Sequence, residues 1–327
     1  YNYSTSQVEL ENNGLNFLKK LPEALILKIF KDQKGVMWFG TENGLYSFFN
    51  GDLKLWTDEE GMEDNFIFDI SEIDGILYVA SASNVFKFKD NQFNKIIPEQ
   101  FGIGARLIQG SRTENLWFLL LGGDLANYSN GNLEILKSLG DSSLQEYGIN
   151  TLEILSKKEM LIGTAEHGLL FWNGNFLEVI NKTAGLYSNQ VLDIIKSEEN
   201  LYWILSTEGV QGMLYKDGGW VLGRYLGAAD GYLGNESQAN SFFLSELNQT
   251  LWTGTKNGAV ALKINELKKQ KWNYSPSITR VDLYFNENTD WSEFKLSNWS
   301  NVPQSIRLNN QENYLTFHFT ALSSIDP

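Results

Sequence analysis

Short apolar runs broken by Gly- and Asn-containing turns fill most of this chain, and one pattern of such runs recurs. It stands as WFGTENGLYSF from Trp38, YVASASNVFKF from Tyr78, WFLLLGGDLANY from Trp117, LIGTAEHGLLFW from Leu161, WILSTEGVQGMLY from Trp203 and WTGTKNGAVAL from Trp252, at spacings of 39–49 residues. An internal period of this size dictates the fold. Each unit parses alike. An apolar strand such as Ile26–Phe30 or Val191–Ile195 leads through a polar turn into the motif strand. Asn43-Gly44, His167-Gly168, Glu208-Gly209 or Asn257-Gly258 then reverses the chain into a third strand. A second turn at Asn50-Gly51, Asn130-Gly131, Asn173-Gly174 or Asp217-Gly218 precedes a fourth, more polar strand. Asn-Gly tolerates the positive φ angles of a two-residue hairpin, so these dipeptides mark turns.

Four antiparallel strands in roughly 40–45 residues is the signature of a β-propeller blade. The predicted fold class is all-β, with six visible four-stranded blades packed radially. Gly40, Gly163 and Gly254, two residues beyond the motif start or equivalent to it, are expected to let neighbouring strands approach closely. Tyr1–Leu10 is a candidate fourth strand for the last blade, whose other three strands are placed in Phe242–Ile264. A seventh blade upstream is the alternative.

The repeat stops after Ile264, so residues 1–264 are read as the propeller. The lysine-rich stretch Asn265–Pro276 reads as a linker. Beyond it, Ser277–Phe285, Glu293–Ser297, Ser305–Leu308 and Asn313–Leu322 alternate apolar and polar residues, which predicts half-buried strands. About fifty residues make a poor independent sandwich, so 277–327 reads as the front of a truncated domain.

Composition narrows the chemistry. The chain has no cysteine, which removes disulfides, thiolate metal sites and cysteine catalysis. Its two histidines, His167 and His318, lie far apart, so no metal site and no cofactor is expected. A net charge of −14 without a Lys/Arg cluster argues against nucleic acid as a partner. No apolar run reaches the ~20 residues of a membrane helix, and no signal peptide is visible.

Asp32, Gly35, Trp38, Gly40, Thr41, Gly44 and Leu45 form a D-x-x-G-x-x-W-x-G-T-x-x-G-L pattern that resembles the two-component regulator propeller repeat. GLYSNQVLDI at Gly185–Ile194 is similar to that family's link between blades, whereas the copies at Tyr78 and Trp117 lack the Gly-Thr pair. Pro276, Ile278–Phe285 and Asn310–Pro327 resemble the opening of the Ig-like triple-tyrosine-motif domain that follows such propellers. The resemblance implies a periplasmic input domain of a membrane-bound, Bacteroidetes-like histidine kinase, sensing an oligosaccharide or similar small molecule. It implies that membrane helix and kinase belong to C-terminal parts beyond this chain, and that the intact receptor is a homodimer. No H-box or ATP-binding motif is present, so no kinase activity is expected of this segment.

In a four-stranded antiparallel blade, the second-to-third turns share one face with the links between blades. That face is the expected ligand face. Its links are Gly61–Phe66, Gly102–Arg106, Tyr147–Asn150, Gly185–Gln190 and Gly231–Ser237. They nominate Asn65, Asn150, Asn189, Gln190, Asn235 and Glu236 as hydrogen-bonding groups for sugar hydroxyls, and Tyr187, Tyr232 and the nearby Tyr225 as stacking surfaces. The competing role for the Asn side chains is to cap turns. Arg106 is the strong cation of the links and would receive a carboxylate or sulfate, unless a surface ion pair occupies it. His167 occupies a turn on the same face. No carboxylate pair stands out as glycosidase machinery, and neither histidine sits in a nucleophile motif, so no catalytic residue is nominated. The competing function is a non-catalytic scaffold whose acidic surface takes a protein or peptide.

Overall fold

The computed structural model shows a six-bladed β-propeller followed by a small separate sheet. It describes residues 21–323 apart from 22, 113–114, 137, 140–141, 157, 199, 228–231, 233–235, 257, 265–273, 284–289, 297–301 and 309–313. Blade 1 comprises β1 (Ile26–Lys31), β2 (Met37–Thr41), β3 (Gly44–Phe49) and β4 (Asp52–Trp56). Blade 2 comprises β5 (Ile67–Ile73), β6 (Ile76–Ser81), β7 (Val85–Lys89) and β8 (Gln92–Lys95). Blade 3 comprises β9 (Ala105–Arg112), β10 (Asn115–Leu120), β11 (Leu125–Ser129) and β12 (Asn132–Leu136), followed by a short hairpin of β13 (Ser138–Leu139) and β14 (Ser142–Ser143) and one helical turn, α1 (Leu144–Tyr147). Blade 4 comprises β15 (Ile149–Ile154), β16 (Met160–Thr164), β17 (Leu169–Trp172) and β18 (Leu177–Ile180). Blade 5 comprises β19 (Asp193–Glu198), β20 (Leu201–Ser206), β21 (Gly209–Lys216) and β22 (Gly219–Leu226). Blade 6 comprises β23 (Phe243–Ser245), β24 (Thr250–Thr255) and β25 (Gly258–Lys263), three strands among the described residues. Every blade is an antiparallel meander in chain order.

The repeated residues have local jobs. Asn50, Asn130 and Asp217 adopt positive φ just before Gly51, Gly131 and Gly218, which do the same, and so close two-residue hairpins between third and fourth strands. The motif Thr closes the other turn: Thr41 Oγ1 donates to the Gly44 carbonyl (2.9 Å), Thr164 to Gly168 (2.8 Å) and Thr255 to Gly258 (3.0 Å). Ser81 and Ser206 do the same in the copies at Tyr78 and Trp203. The motif Trp is an inter-blade wedge. Trp38 stacks on Trp56 (5.5 Å between centroids) and meets the ring edges of Phe88 and Phe93 in blade 2. Its indole N–H donates to Asp32 Oδ2 (3.0 Å), which explains the Asp of the pattern. The predicted close approach is met at Gly163, where a Cβ would lie 2.5 Å from Thr151 Cγ2 and 2.6 Å from Val191 Cγ1 of the next blade's link.

Apolar layers between successive blades hold the ring together. Separate clusters fill the gaps between blades 1 and 2, 2 and 3, 3 and 4, and 4 and 5. The first strands β1, β5, β9, β15, β19 and β23 abut one another in order, so they are innermost. At one register position these strands turn an apolar residue toward the preceding blade. Ile70, Ile108, Leu152 and Ile194 are 0–3% exposed there, but Ile29 of blade 1 is 54% exposed. Nothing among the described residues covers it as a complete blade covers the others. The predicted closing strand Tyr1–Leu10 lies outside the described residues.

The second unit begins at Ile264 and is built on β26 (Tyr274–Leu283) paired antiparallel with β27 (Leu315–Ser323). Two of the four alternating stretches therefore form strands. The described residues of the other two, 293–296 and 305–308, do not: they hold only an isolated bridge from Leu296 to Pro303. Alternation over four or five residues carries little information unless a neighbouring strand offers a ladder, and Pro303 has no N–H to give one. Asp282, 4% exposed at its side chain, forms an ion pair with Arg280 (2.9 Å) and lies 2.7 Å from His318 Nε2, which gives His318 a structural role in this sheet.

Candidate functional site

Hydrogen bonds identify the face that carries the links. The turn between second and third strands of a blade bonds to the backbone of a neighbouring link: Ala82 N–H to the Phe66 carbonyl (3.1 Å), Leu121 to Gly104 (3.1 Å), Ala165 to Gly148 (2.8 Å) and Gly168 to Asn189 (2.8 Å). Links and second turns therefore share one face, as the alternation predicts.

At the mouth of the channel on this face a β-bulge recurs. Where the inner strands of blades 1 to 5 begin, two residues stand opposite one residue of the second strand. Ile26 and Lys28 flank Leu27, Ile67 and Asp69 flank Phe68, Ala105 and Leu107 flank Arg106, and Ile149 and Thr151 flank Asn150. In blade 5 Leu192 donates to the Leu205 carbonyl (2.8 Å) while Asp193 is the ladder partner of Leu205. A bulge re-aims the side chain of its extra residue. In blades 2 to 4 the flanking residues are buried between blades while Phe68, Arg106 and Asn150 stay half-exposed. Leu27, Phe68, Arg106, Asn150 and Leu192 thus form a collar at the mouth, apolar on one arc and polar on the other.

One residue further along the strands lies a charged layer. Lys28 Nζ is 2.9 Å from Asp69 Oδ1, and Asp69 Oδ2 accepts from the Ile108 N–H of blade 3 (2.8 Å). Thr151 Oγ1 donates to Asp193 Oδ1 (2.9 Å), joining blades 4 and 5. The Asp69 carboxylate raises the Lys28 pKa, against the opposing effect of burial. Burial pushes the Asp193 carboxyl up to about 6, although Lys28 and the Ile194 and Thr151 bonds pull the other way. Burial likewise pushes Glu153 up to about 7.

The sequence-nominated residues divide into three groups. Several are structural. The Asn150 amide donates to the Val191 carbonyl (2.9 Å), tying blade 4 to the next link. Asn189 Oδ1 accepts from the Lys182 N–H (2.9 Å), the capping role. Gln190 Oε1 accepts from the Thr207 hydroxyl (3.0 Å). Tyr232 is buried, with its hydroxyl 2.8 Å from Ser237 Oγ, and so offers no stacking face. Glu236 pairs with Lys256 (3.2 Å) on the surface. A second group is exposed on the link face. Asn65 is exposed; His167 is exposed with its ring edge-on to Tyr147 (5.3 Å). Tyr187, 47% exposed, stacks on Tyr225 at 3.3 Å and 9°. Asn235 lies outside the described residues. Arg106 stands apart: half-buried, its Nη2 donates to the Ile149 carbonyl of blade 4. Sequence reasoning missed Leu27, Phe68 and Leu192, because a bulge shifts register without any residue type that announces it.

Replacing Asn150 with Ala removes one inter-blade bond and leaves the Val191 carbonyl to water. The expected loss is about 1 kcal/mol, read as a shift of the denaturant midpoint at unchanged slope.

Residues 20–43 match the family described as two component regulator propeller. No curated protein sequence matches the chain. Among solved structures, the extracellular domain of BT3049, described as a hybrid two component system of B. thetaiotaomicron, is similar at TM-score 0.56 and 14% identity, covering 92% of this chain and 47% of that one. PorZ, a surface component of the type-IX secretion system of Porphyromonas gingivalis, is similar at TM-score 0.56 and 13% identity, over 80% of this chain and 41% of that one. Virginiamycin B lyase from Staphylococcus aureus is similar at TM-score 0.55 and 10% identity, over 72% of this chain and 79% of that one. This chain therefore spans about half the length of the extracellular domain it resembles. Likeness at such identity establishes the propeller fold, and the same fold serves a sensor, a secretion component and a lyase.

Proposed function

We propose that this propeller is the ligand-sensing part of a two-component sensor, placed in the periplasm, and that it binds an oligosaccharide or similar small molecule on its link face. The observation that carries this reading is the two-component regulator propeller match at residues 20–43. The link face supports it. The collar, the exposed Tyr187 ring and the exposed Asn65 and His167 side chains supply apolar faces and polar groups of the kind that hold small ligands. No helix among the described residues is long and apolar enough to cross a membrane, so in this reading the anchor and the histidine kinase lie in other parts of the receptor.

The domain binds its ligand without transforming it. The two carboxyls pushed furthest upward, Asp193 and Glu153, both start from inner strands, and Asp193 already accepts bonds from Ile194 and Thr151. Its carboxylate is committed to holding blades 4 and 5 together.

A thermal-shift screen against neutral and charged oligosaccharides tests the proposal, since a ligand that binds the folded state raises Tm. The expected result is a ligand-specific rise in wild type that shrinks in Tyr187→Ala. A protein or peptide partner captured on the same face, with no response to any sugar, would replace the sensor reading with that of a scaffold.

A further inference from the structure

The collar is not chemically even. Four of its five members carry no charge, and the fifth is Arg106. A half-buried guanidinium ordinarily lies against a carboxylate, because burying an unpaired charge is costly. The neighbouring layer follows that rule: Lys28 has Asp69, and Asp193 lies in the field of Lys28. Arg106 does not follow it. Among the described residues its one hydrogen-bond partner is the Ile149 carbonyl, and no carboxylate pairs with it. Burial lowers its basicity, and no carboxylate among the described residues offsets that effect. The surface ion pair that sequence reasoning set against a binding role is absent among the described residues.

A guanidinium has five N–H donors, and one carbonyl uses only part of that fork. The remaining donors sit at the channel mouth, beside Asn150 of the next blade, whose amide is held in place by Val191. On the other side of Arg106, in blade 2, Phe68 packs against Phe66 (4.8 Å between centroids), and Leu27 and Leu192 extend that apolar arc.

We propose that Arg106 anchors an oxyanion subsite at the axial mouth, taking the carboxylate or sulfate group of a ligand whose ring or apolar face rests on Phe68 and its neighbours. The fork geometry of arginine suits both oxyanions. The subsite acts at contact range, because a net charge of −14 repels anions at a distance. This assignment deepens the ligand-sensing reading and rests on it for the claim that the ligand is a sugar, but not for the claim that an anion binds.

Calorimetric titration of wild type and Arg106→Gln with three probes tests it. The probes are a uronic-acid oligosaccharide, its carboxyl-reduced neutral counterpart, and phenyl sulfate. The expected result is that wild type binds the uronate form at least tenfold more tightly than the neutral form. Arg106→Gln should abolish that preference while leaving Tm within a few degrees, and Arg106→Lys should restore part of it. Uronate and neutral forms bound alike, with no effect of Arg106→Gln, would overturn the subsite and leave the sensor reading standing. Phenyl sulfate bound in an Arg106-dependent way, with no oligosaccharide bound, would uphold the subsite and sink the sugar. No binding of any probe would remove both.

Discussion

Replacing Gly104 with Ala is expected to lower the melting temperature by roughly 6–12 °C, corresponding to about 3 kcal/mol for a unit of this size. Gly104 lies in the link that enters blade 3, two residues before Arg106, and is buried. A Cβ there would fall well inside van der Waals contact of the Ser81 carbonyl oxygen and of the Ala82 carbonyl in blade 2. Those atoms are backbone. Ser81 is fixed by its hydroxyl bond to the Asn84 carbonyl (3.0 Å), and Ala82 by its N–H bond to the Phe66 carbonyl (3.1 Å). A flexible side chain would swing aside; a bonded turn cannot, so either the turn or the link must move. The link carries the bond from Leu121 to Gly104, and displacing it disturbs the collar as well. The measurement is differential scanning calorimetry of wild type and G104A, with Gly51→Ala as control. Gly51 has no atom within 4 Å of a Cβ, but its φ of +93° strains an alanine, so a loss of about 1 kcal/mol is expected there. A G104A melting temperature at or above that of the control would show that the links of blades 2 and 3 are not packed as described.

Much of this architecture was legible in the sequence, because the blade repeat spends its strongest signals on backbone geometry. Asn50-Gly51 announces a hairpin, and Thr41 and Trp38 recur because each closes a local contact: the turn to Gly44 and the bond to Asp32. Such contacts span a few residues, so spacing alone carries them. The candidate site is different. Asn189 and Asn65 look alike in sequence, each four residues after a Gly, yet Asn189 caps the Lys182 turn and Asn65 is exposed. Tyr232 looks like Tyr187, yet one is buried against Ser237 and the other is exposed. What separates them is a partner that residue type and spacing do not announce, the Lys182 N–H seven residues before Asn189 and the Ser237 hydroxyl five residues after Tyr232. The bulge that presents Arg106 is non-local, a count of two residues against one on another strand. In the second unit the same limit works in reverse: Ser305–Leu308 has the alternation of a strand, but among the described residues no partner strand pairs with it.

Folding stability should rise, not fall, as pH drops from 8 to about 5. Most proteins lose stability on acidification because paired carboxylates have pKa values below their unfolded values. Here two inner-strand carboxyls behave in the opposite sense. Asp193 moves from 3.8 to about 6 and Glu153 from 4.5 to about 7, burial being the main cause of each. A carboxyl whose pKa is raised by folding binds protons more tightly in the folded state. Its contribution is therefore fully present below its unfolded pKa and lost as pH rises through its folded pKa. The window is roughly pH 4 to 7, and the change is bounded by about 3 kcal/mol for Asp193 at ~1.4 kcal/mol per pKa unit. The two groups repel each other, so their contributions do not simply add. Lys28 does not oppose the trend, because its raised pKa keeps it protonated throughout this range. The measurement is urea denaturation at pH 5 and pH 8 for wild type, Asp193→Asn and Glu153→Gln. Asn at 193 can still accept from Thr151, so the inter-blade bond survives while the titration disappears. The pH dependence should flatten in each variant, most in the double variant. Wild type more stable at pH 8 than at pH 5, or an unchanged slope in both variants, would mean that these carboxylates are ionised and satisfied, and that the charged layer beneath the collar is a closed set of ion pairs rather than one short of cations.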